Sequence, residues 1–435
     1  MTPAARLAAA IDVLSQTAET GRPADQVVTA YCRSRRYIGA KDRRAVTDRV
    51  FAILRHHARL GWWLDRVAWP GIGPDRAPGD GVRGRIAAQL RLVDGLDAAA
   101  VAALFDGSVH GPAPLSTDER AALARLPDRL DADPTMPPLV RLECPDWAGA
   151  DLGDQPDLLA SLLDEAPVDL RVNPMVADRA DVIAALAADG LNPIPTPFAP
   201  QGVRLGHRAP LTGHPLYRSG AIEVQDEASQ LVTVLTDAQP GHQVADFCAG
   251  AGGKSLALAA GMAGRGRVVA CDVSEPRLAA ARDRIRRAGA HNIEPRLLSS
   301  ERDRWIARQK GKFDRVLVDA PCSGSGAWRR SPDSRWRPVD LAALTDLQDR
   351  LLLSAGRLVK PGGRLVYATC SLLADENQRR IDTFLSKDIG FRALPAGDLV
   401  QKILGKDLHY IGDGVILSPV HTFTDGFYIA VLERK

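Results

Sequence analysis

From about Ala221 onward, short β-rich runs alternate with helical stretches, and no other feature constrains the fold as tightly. Gln243 to Cys248, Arg267 to Cys271, Ile293 to Leu298, Arg315 to Asp319 and Arg364 to Thr369 are the β-rich runs, with helical patterns between most of them. Successive strands separated by helices pair in parallel, because a parallel return needs a crossover. The expected fold class is α/β, a doubly wound and mostly parallel sheet. Val415 to Leu417 and Gly426 to Leu432 add two β-like runs, expected as a hairpin at the sheet edge. Ligands of such sheets bind beyond the carboxyl ends of the strands. The residues at which each strand stops are therefore the candidates.

The first strand stops at Asp246-Phe-Cys-Ala-Gly-Ala-Gly-Gly-Lys254. Its glycines permit a tight strand-to-helix turn and let backbone N–H groups approach a ligand closely. A P-loop needs glycine at 248, where this chain has cysteine, so the match to an ATP or GTP site fails. The second strand ends at Asp272, 26 residues after Asp246, where a carboxylate accepts hydrogen bonds from ribose hydroxyls. Turn and acid together indicate a nucleoside-containing cofactor without saying which. The fourth strand ends in Asp319-Ala-Pro-Cys322-Ser-Gly-Ser-Gly326, followed by Arg329, Arg330, Arg335 and Arg337, and the fifth ends Tyr367-Ala-Thr-Cys370-Ser. A buried cysteine is usually a small apolar filler. That reading suits Cys32, Cys144 and Cys271. It does not suit two cysteines that each leave a strand into a glycine- or serine-rich loop.

Residues 1 to about 140 read as helices. Ala4 to Leu14, Asp25 to Arg33 and Arg43 to Leu64 show apolar spacings of three and four, with Val46, Val50, Ile53 and Leu54 on one face. Pro70 to Gly84 and Gly107 to Pro114 are expected as loops, and Pro134 to Pro138 as a linker between domains. From Leu139 to about Gly220 the pattern changes to short strands around a helix. There Asp169 to Asn173 is β-like, Arg179 to Asp189 is an amphipathic helix, and Pro193 to Pro200 is a turn region.

The net charge is only +3, so its distribution matters more than its sum. From Tyr31 to Arg66 ten basic residues (Arg33, Arg35, Arg36, Lys41, Arg43, Arg44, Arg49, Arg55, Arg59 and Arg66) stand against Asp42, Asp48 and Asp65, a local balance of +7. A solvated helix face is the commoner explanation of such a run. Arginine forks for phosphate oxygens are the alternative, which needs support from elsewhere in the chain. Hydrophobic residues at 45% and charged residues at 25% are ordinary for a globular chain and exclude wholesale disorder. No apolar run approaches the ~18 residues of a membrane helix, and Met1 to Thr20, with Asp12 and Glu19, is a poor secretory signal. Six scattered cysteines with no CxxC spacing argue against a disulfide framework and a zinc site, and for reduced thiols in a cytoplasmic protein.

With these stretches in order, the sequence resembles the RNA cytosine-5 methyltransferases of the Sun group, and within them the bacterial RsmB (Sun, Fmu) type. The likeness rests on Val224-Gln225-Asp226-Glu227-Ala228-Ser229-Gln230, the Asp246 to Lys254 turn, Asp319-Ala-Pro-Cys322-Ser, Arg329-Arg330-Ser-Pro-Asp333, Thr369-Cys370-Ser371 and Asp425-Gly426-Phe427. It covers residues ~170–435 in the expected order. The resemblance implies a class I (Rossmann-like) methyltransferase domain at 221–435 that uses S-adenosyl-L-methionine. A helical NusB-like RNA-binding domain at 1–140 and a small α/β RNA-recognition segment at 141–220 would precede it. It assigns the cofactor to Cys248, Ala249, Gly250, Ala251, Gly252, Gly253 and Lys254, with Asp272, Ser299 and Asp319.

The implied reaction methylates C5 of a cytosine, with Cys370 as the nucleophile that adds to C6 and Cys322 as the thiol that serves release. Asp319 would hold the cytosine edge, and Lys254 would lower the thiolate pKa or hold the base. The implied substrate is RNA, 16S ribosomal RNA in the RsmB type, whose target base must be unstacked to react. No metal and no membrane are expected, and the chain is expected to act as a monomer. Two departures stand out: Ala251 replaces the family's usual proline, and Leu298-Ser299-Ser300-Glu301 lacks the usual adenine-side aspartate. A dehydrogenase using the same turn and Asp272 would leave both cysteine motifs unexplained, and a catalytically silent RNA-binding protein would have no use for the two thiols.

Overall fold

The computed structural model describes residues 1–71 and 81–435, and the chain divides into two compact units. One comprises Met1–Leu163 with Trp328–Pro338, the other Asp164–Ala327 with Val339–Lys435.

Among the described residues the first unit is helical. α1 (Pro3–Thr20), α2 (Ala24–Ser34), α3 (Ala40–Arg55), α4 (His57–Arg66) and α5 (Val82–Leu92) bury Leu7, Val13, Val28, Val50, Ile53, Leu60, Leu64 and Ile86 in one core. The local signals are ordinary. The Thr2 hydroxyl accepts from Ala5 N at 3.1 Å, Pro3 opens the first turn, and Gly21 ends α1 at φ +62°.

The Arg43 to Leu64 periodicity, expected as one helix, is two. The break at His56 has no proline or glycine behind it. Instead the buried Glu143 carboxylate accepts from Ala58 N (2.7 Å), Arg59 N (3.1 Å) and Arg59 Nε (3.0 Å), capping a new helix N-terminus from 84 residues away. Of the loop expected over Pro70 to Gly84, residues 72–80 lie outside the described residues, and Val82 to Gly84 already belong to α5.

Pro134 to Pro138, expected as an interdomain linker, lies inside this unit. Helices Pro138–Arg141, Asp146–Leu152 and Pro156–Ser161 continue the unit beyond it. The segment Trp328–Pro338 completes the packing. Trp328 is fully buried edge-on against Trp147 (5.7 Å), and Arg335 lies over its ring and donates to Leu162 O at 3.0 Å. Arg329 is buried here as well, and Arg337 pairs with Asp333.

Much of the basic run is matched inside the same unit. Arg49 pairs with Asp94, Arg59 with Glu143, Arg66 with Asp133 (2.9 Å) and Arg44 with Asp48 (3.7 Å). Arg55 donates to Arg329 O at 2.9 Å. Arg33, Arg36, Lys41, Arg43 and Arg44 stay exposed.

The second unit holds two sheets. The small one pairs β1 (Val168–Val172), β2 (Ile194–Pro195), β3 (Gly202–Leu205) and β4 (Ile222–Val224) antiparallel in the order β2-β3-β1-β4. Helix Arg179–Ala188 packs Val182 and Leu186 onto Leu170, Val172 and Val203.

The large sheet contains β5 (Gln243–Asp246), β6 (Arg267–Asp272), β7 (Ile293–Leu297), β8 (Phe313–Asp319), β9 (Val359–Thr369), β10 (Phe391–Ala393), β11 (His409–Ile411), β12 (Gly414–Leu417) and β13 (Phe427–Arg434). Its order is β11-β12-β13-β9-β8-β5-β6-β7, parallel from β7 to β9, with β10 on β13. The expected hairpin forms from β12 and β13, but not as the edge pair. β13 inserts antiparallel beside β9, and β11, a strand with no clear sequence signal, takes the edge. The chain winds from β5 to β7 in one direction and from β8 to β9 in the other. The carboxyl ends of β5, β6, β8 and β9 therefore border one crevice, at the point where the winding reverses.

Candidate active site

At these strand ends lies a cavity of about 720 Å³. Cys248, Ala249, Gly250, Ala251, Gly253, Lys254, Asp272, Ser299, Asp319, Cys322 and Cys370 all line it. Of the residues singled out in the sequence, Gly252 does not. It caps the helix Gly253–Gly261 at φ +78°, and a Cβ there would meet Ala281 at 3.1 Å. Its role is to turn the chain.

The glycine turn is fixed from both sides. Gly250 N donates to Asp272 Oδ2 and Ser274 N to Asp272 Oδ1, each at 2.8 Å. Both carboxylate oxygens retain acceptor capacity for further donors. Behind the turn, Arg284 donates to Ala251 O (2.9 Å) and to Glu223 (2.9 Å), and Arg171 donates to Gly253 O (2.8 Å). Neither arginine stands out in the sequence, because each works through a backbone carbonyl.

Asp246 is a second acid in the cavity, read in the sequence only as the start of the turn. Its Oδ2 accepts from the Ser255 hydroxyl at 2.6 Å, while Oδ1 has no partner among the described residues. Burial pushes its pKa up to about 7, with the Ser255 hydrogen bond pulling the other way.

At the third strand, where the family's usual aspartate is missing, the Ser299 N–H and hydroxyl both donate to Asp303 at 2.9 Å. These two donors and Trp305 N hold the Asp303 carboxyl at about 2. Glu301 is bound to Arg350 at 3.0 Å.

On the other wall, Cys322 Sγ and Cys370 Sγ are 3.4 Å apart. The hydrogen bond shared with Cys370, and burial after it, push the Cys322 thiol well above its ordinary pKa. Lys254 Nζ donates to Asp319 Oδ2 at 2.6 Å and sits 5.2 Å from the Phe427 ring centre. Burial works against the lysine's charge, but Asp319, and behind it Cys370 and Asp246, hold its pKa above the usual value. Cys248, by contrast, is driven far up by burial among three carboxylates, which suits a wall residue rather than a nucleophile.

The loops that carry the thiols meet at glycine. Gly426 N donates to Gly326 O at 2.8 Å, Gly326 N to Cys370 O at 3.0 Å, and a Cβ on Gly326 would lie 2.1 Å from Gly426 O. This close approach brings Asp425-Gly426-Phe427 to the thiol loops. No group of three His, Cys, Asp or Glu side chains able to hold a metal ion occurs among the described residues.

The family described as 16S rRNA methyltransferase RsmB/F matches residues 232–433, and the RsmF/B-like ferredoxin-like domain matches residues 150–212. The ribosomal RNA small subunit methyltransferase B of Yersinia enterocolitica is 33% identical over 287 residues, 64% of this chain and 63% of the relative. The chain spans about three-fifths of the length of the curated relatives it matches. Among solved structures, PH0851 is similar over 100% of this chain and 99% of its own, with a TM-score of 0.79 and 26% identity. A methyltransferase homolog protein from Pyrococcus horikoshii is similar over 68% of this chain and 98% of its own, with a TM-score of 0.59 and 29% identity. The large sheet has the Rossmann-like methyltransferase fold. The likeness to the RsmB/F methyltransferase family thus spans residues 232–433, and that to the ferredoxin-like domain named with it spans residues 150–212.

Proposed function

We propose that this protein methylates C5 of a cytosine in RNA, with S-adenosyl-L-methionine as the methyl donor and small-subunit ribosomal RNA as the substrate. The observation that carries this reading is the thiol pair: Cys370 and Cys322 lie 3.4 Å apart in the same cavity as the glycine turn and Asp272. A dehydrogenase needs no such pair, and a silent binding protein needs neither thiol.

The residues present suit the cofactor. Asp272 has acceptor capacity for ribose hydroxyls, and the unpartnered Asp246 Oδ1 is a buried acceptor for a cationic or hydroxyl donor. At Gly250 a Cβ would meet nothing within 4 Å, so the turn leaves open space beside its backbone. When bound, S-adenosylmethionine supplies a sulfonium methyl as electrophile.

The chain's own residues do the rest. C5 of cytosine is too weak a nucleophile on its own. Addition of the Cys370 thiolate to C6 moves electron density onto C5 and forms a C6–S bond. Lys254 lies close enough to Cys370 for an ammonium and a thiolate there to interact. Asp319, oriented by Lys254, is the group to hold the base edge and stabilise the adduct. Once C5 is methylated, Cys322, as the thiolate, takes the C5 proton, and the C5–H electron pair closes the C5–C6 double bond. The C6–S bond breaks with its electron pair returning to Cys370.

The test is methylation of an unmodified 16S ribosomal RNA transcript with labelled S-adenosylmethionine, followed by bisulfite sequencing. One protected cytosine is the expected result. Label in RNA with no protected cytosine overturns the C5 assignment, and no label in RNA overturns the activity on this substrate.

A further inference from the structure

One buried carboxylate connects both thiol loops. Glu376, in the single turn Ala374–Glu376, is fully buried and receives four hydrogen bonds. Its Oε1 accepts from Ser323 N (2.9 Å) and Gln348 Nε2 (3.0 Å), and its Oε2 accepts from the hydroxyls of Ser323 and Ser371, both at 2.5 Å. Ser323 follows Cys322, and Ser371 follows Cys370. The same Gln348 amide also donates to Pro321 O at 2.9 Å, so both neighbours of Cys322 are held. Asn377 completes the other side, accepting from the Thr369 hydroxyl (2.5 Å) and donating to Ser371 O (2.9 Å).

Glu376 touches neither sulfur in any of these hydrogen bonds, yet each is one residue from a group it binds. Hydrogen bonds to a charged acceptor are the strong ones, and a fully satisfied buried network fixes a single arrangement. Direct contacts join the two loops as well: Gly326 N donates to Cys370 O at 3.0 Å, and the hydroxyls of Ser323 and Ser325 each lie 3.2 Å from that of Ser371. Among the described residues, Glu376 is the one group that binds the residue after each cysteine with a charge.

We propose that Glu376 is the positioning residue of the reaction: its carboxylate staples the Cys322 and Cys370 loops together and sets the spacing over which the two thiols share one adduct. The proposal rests on the two-thiol reading above. A second consequence is electrostatic. The Glu376 charge is one of the causes, after the Cys370 hydrogen bond and burial, that keep the Cys322 proton in place. Removing that charge makes Cys322 ionise at lower pH.

Glu376→Gln keeps the side-chain shape and loses the charge, and its amide can still donate to the serine hydroxyls. The variant is assayed in single turnover with the 16S transcript, reading methylation and the denaturation-resistant protein–RNA adduct. Expected are unchanged cofactor affinity, methylation slowed about tenfold or more, and a pH dependence of adduct release displaced to lower pH. Ser323→Ala and Ser371→Ala, milder changes, separate the loops. The first is expected to slow adduct release and the second adduct formation. If Glu376→Gln does not fold, this serine pair decides.

Wild-type rates and an unmoved pH profile in Glu376→Gln, or equal behaviour of the two serine variants, overturn the proposal. The underlying reading fails separately. If Cys370→Ala retains methylation, the thiol mechanism is wrong whatever Glu376 does.

Discussion

The two units use the same residue types in opposite ways. In the helical unit, charged groups from distant parts of the chain pair off: Arg59 with Glu143, Arg66 with Asp133, Arg83 with Glu119 and Arg49 with Asp94. In the sheet unit, the polar groups at the strand ends converge on an opening and keep capacity in reserve. Asp246 has an oxygen with no partner among the described residues, Asp272 has acceptor sites left, and Cys322 and Cys370 share one hydrogen bond at the opening. Burial makes an incomplete set of partners costly, so a fold tolerates it mainly where a ligand completes the set.

The largest effects that test this contrast belong to the thiols. Cys370→Ala is expected to abolish methyl transfer, because without addition at C6 there is no activated C5. Cys322→Ala is expected to methylate and then stall, giving a slow-migrating protein–RNA band on a denaturing gel that depends on S-adenosylmethionine and vanishes in the double variant. The opposite pattern, with Cys370→Ala trapping RNA, reverses the roles.

Next in size is a scaffold effect. Glu143→Ala removes the acceptor of Arg59 Nε and of two backbone N–H groups, leaving the guanidinium its 3.5 Å contact with Asp131, and breaking such a buried pair costs about 3–5 kcal/mol. A clear loss of thermal stability, with cofactor affinity unchanged, is expected by calorimetry. A melting curve like that of the wild type would show that Glu143 is not the cap that divides α3 from α4.

Asp272→Ala is expected to weaken S-adenosylmethionine binding by roughly ten- to a hundredfold, the value of one or two charge-assisted hydrogen bonds. Titration calorimetry on the folded variant checks this, and unchanged affinity removes Asp272 from the site. Asp246 adds a pH signature. Its folded pKa of about 7 lies above the unfolded value, so its contribution to stability is full at acid pH and is lost as pH rises toward 7. Asp246→Asn should flatten that part of the stability profile of the ligand-free protein.

The smallest effect concerns the basic face. Arg33, Arg36, Lys41, Arg43 and Arg44 are exposed members of the basic run. If they contact phosphates, replacing all five by glutamine lowers the slope of log affinity for RNA against log salt by up to ~0.7 per contact. An unchanged slope returns them to the role of a solvated helix face.

Much of the sheet unit was legible because its signals are local. A strand that ends in Gly-Ala-Gly-Gly, or in Pro-Cys-Ser, carries its turn chemistry and its functional group in the same few residues, and parallel winding then gathers the ends. The five central strands, their order of use and the two thiols are all visible in that way. The antiparallel insertion of β13 beside β9 was not, because pairing direction at a sheet edge depends on a neighbour that local sequence does not name.

The helical unit was legible only as far as its apolar periodicity. The sequence by itself marked the apolar periodicities, the five central strands of the large sheet, and which strand ends carry glycine, acid and thiol. Tertiary structure alone decided the rest. It split one periodic run at His56 by bringing up Glu143, returned Trp328–Pro338 to the helical unit, and matched much of a local +7 charge with Asp94, Asp133 and Glu143. Within the site it set Glu376 across both cysteine loops and left one oxygen of Asp246 unpaired. The physical reason is common to all of these. Hydrophobic periodicity and turn propensity act over a few residues, whereas a charge or a hydrogen bond is satisfied by whatever the fold brings within about 3 Å, at any distance along the chain.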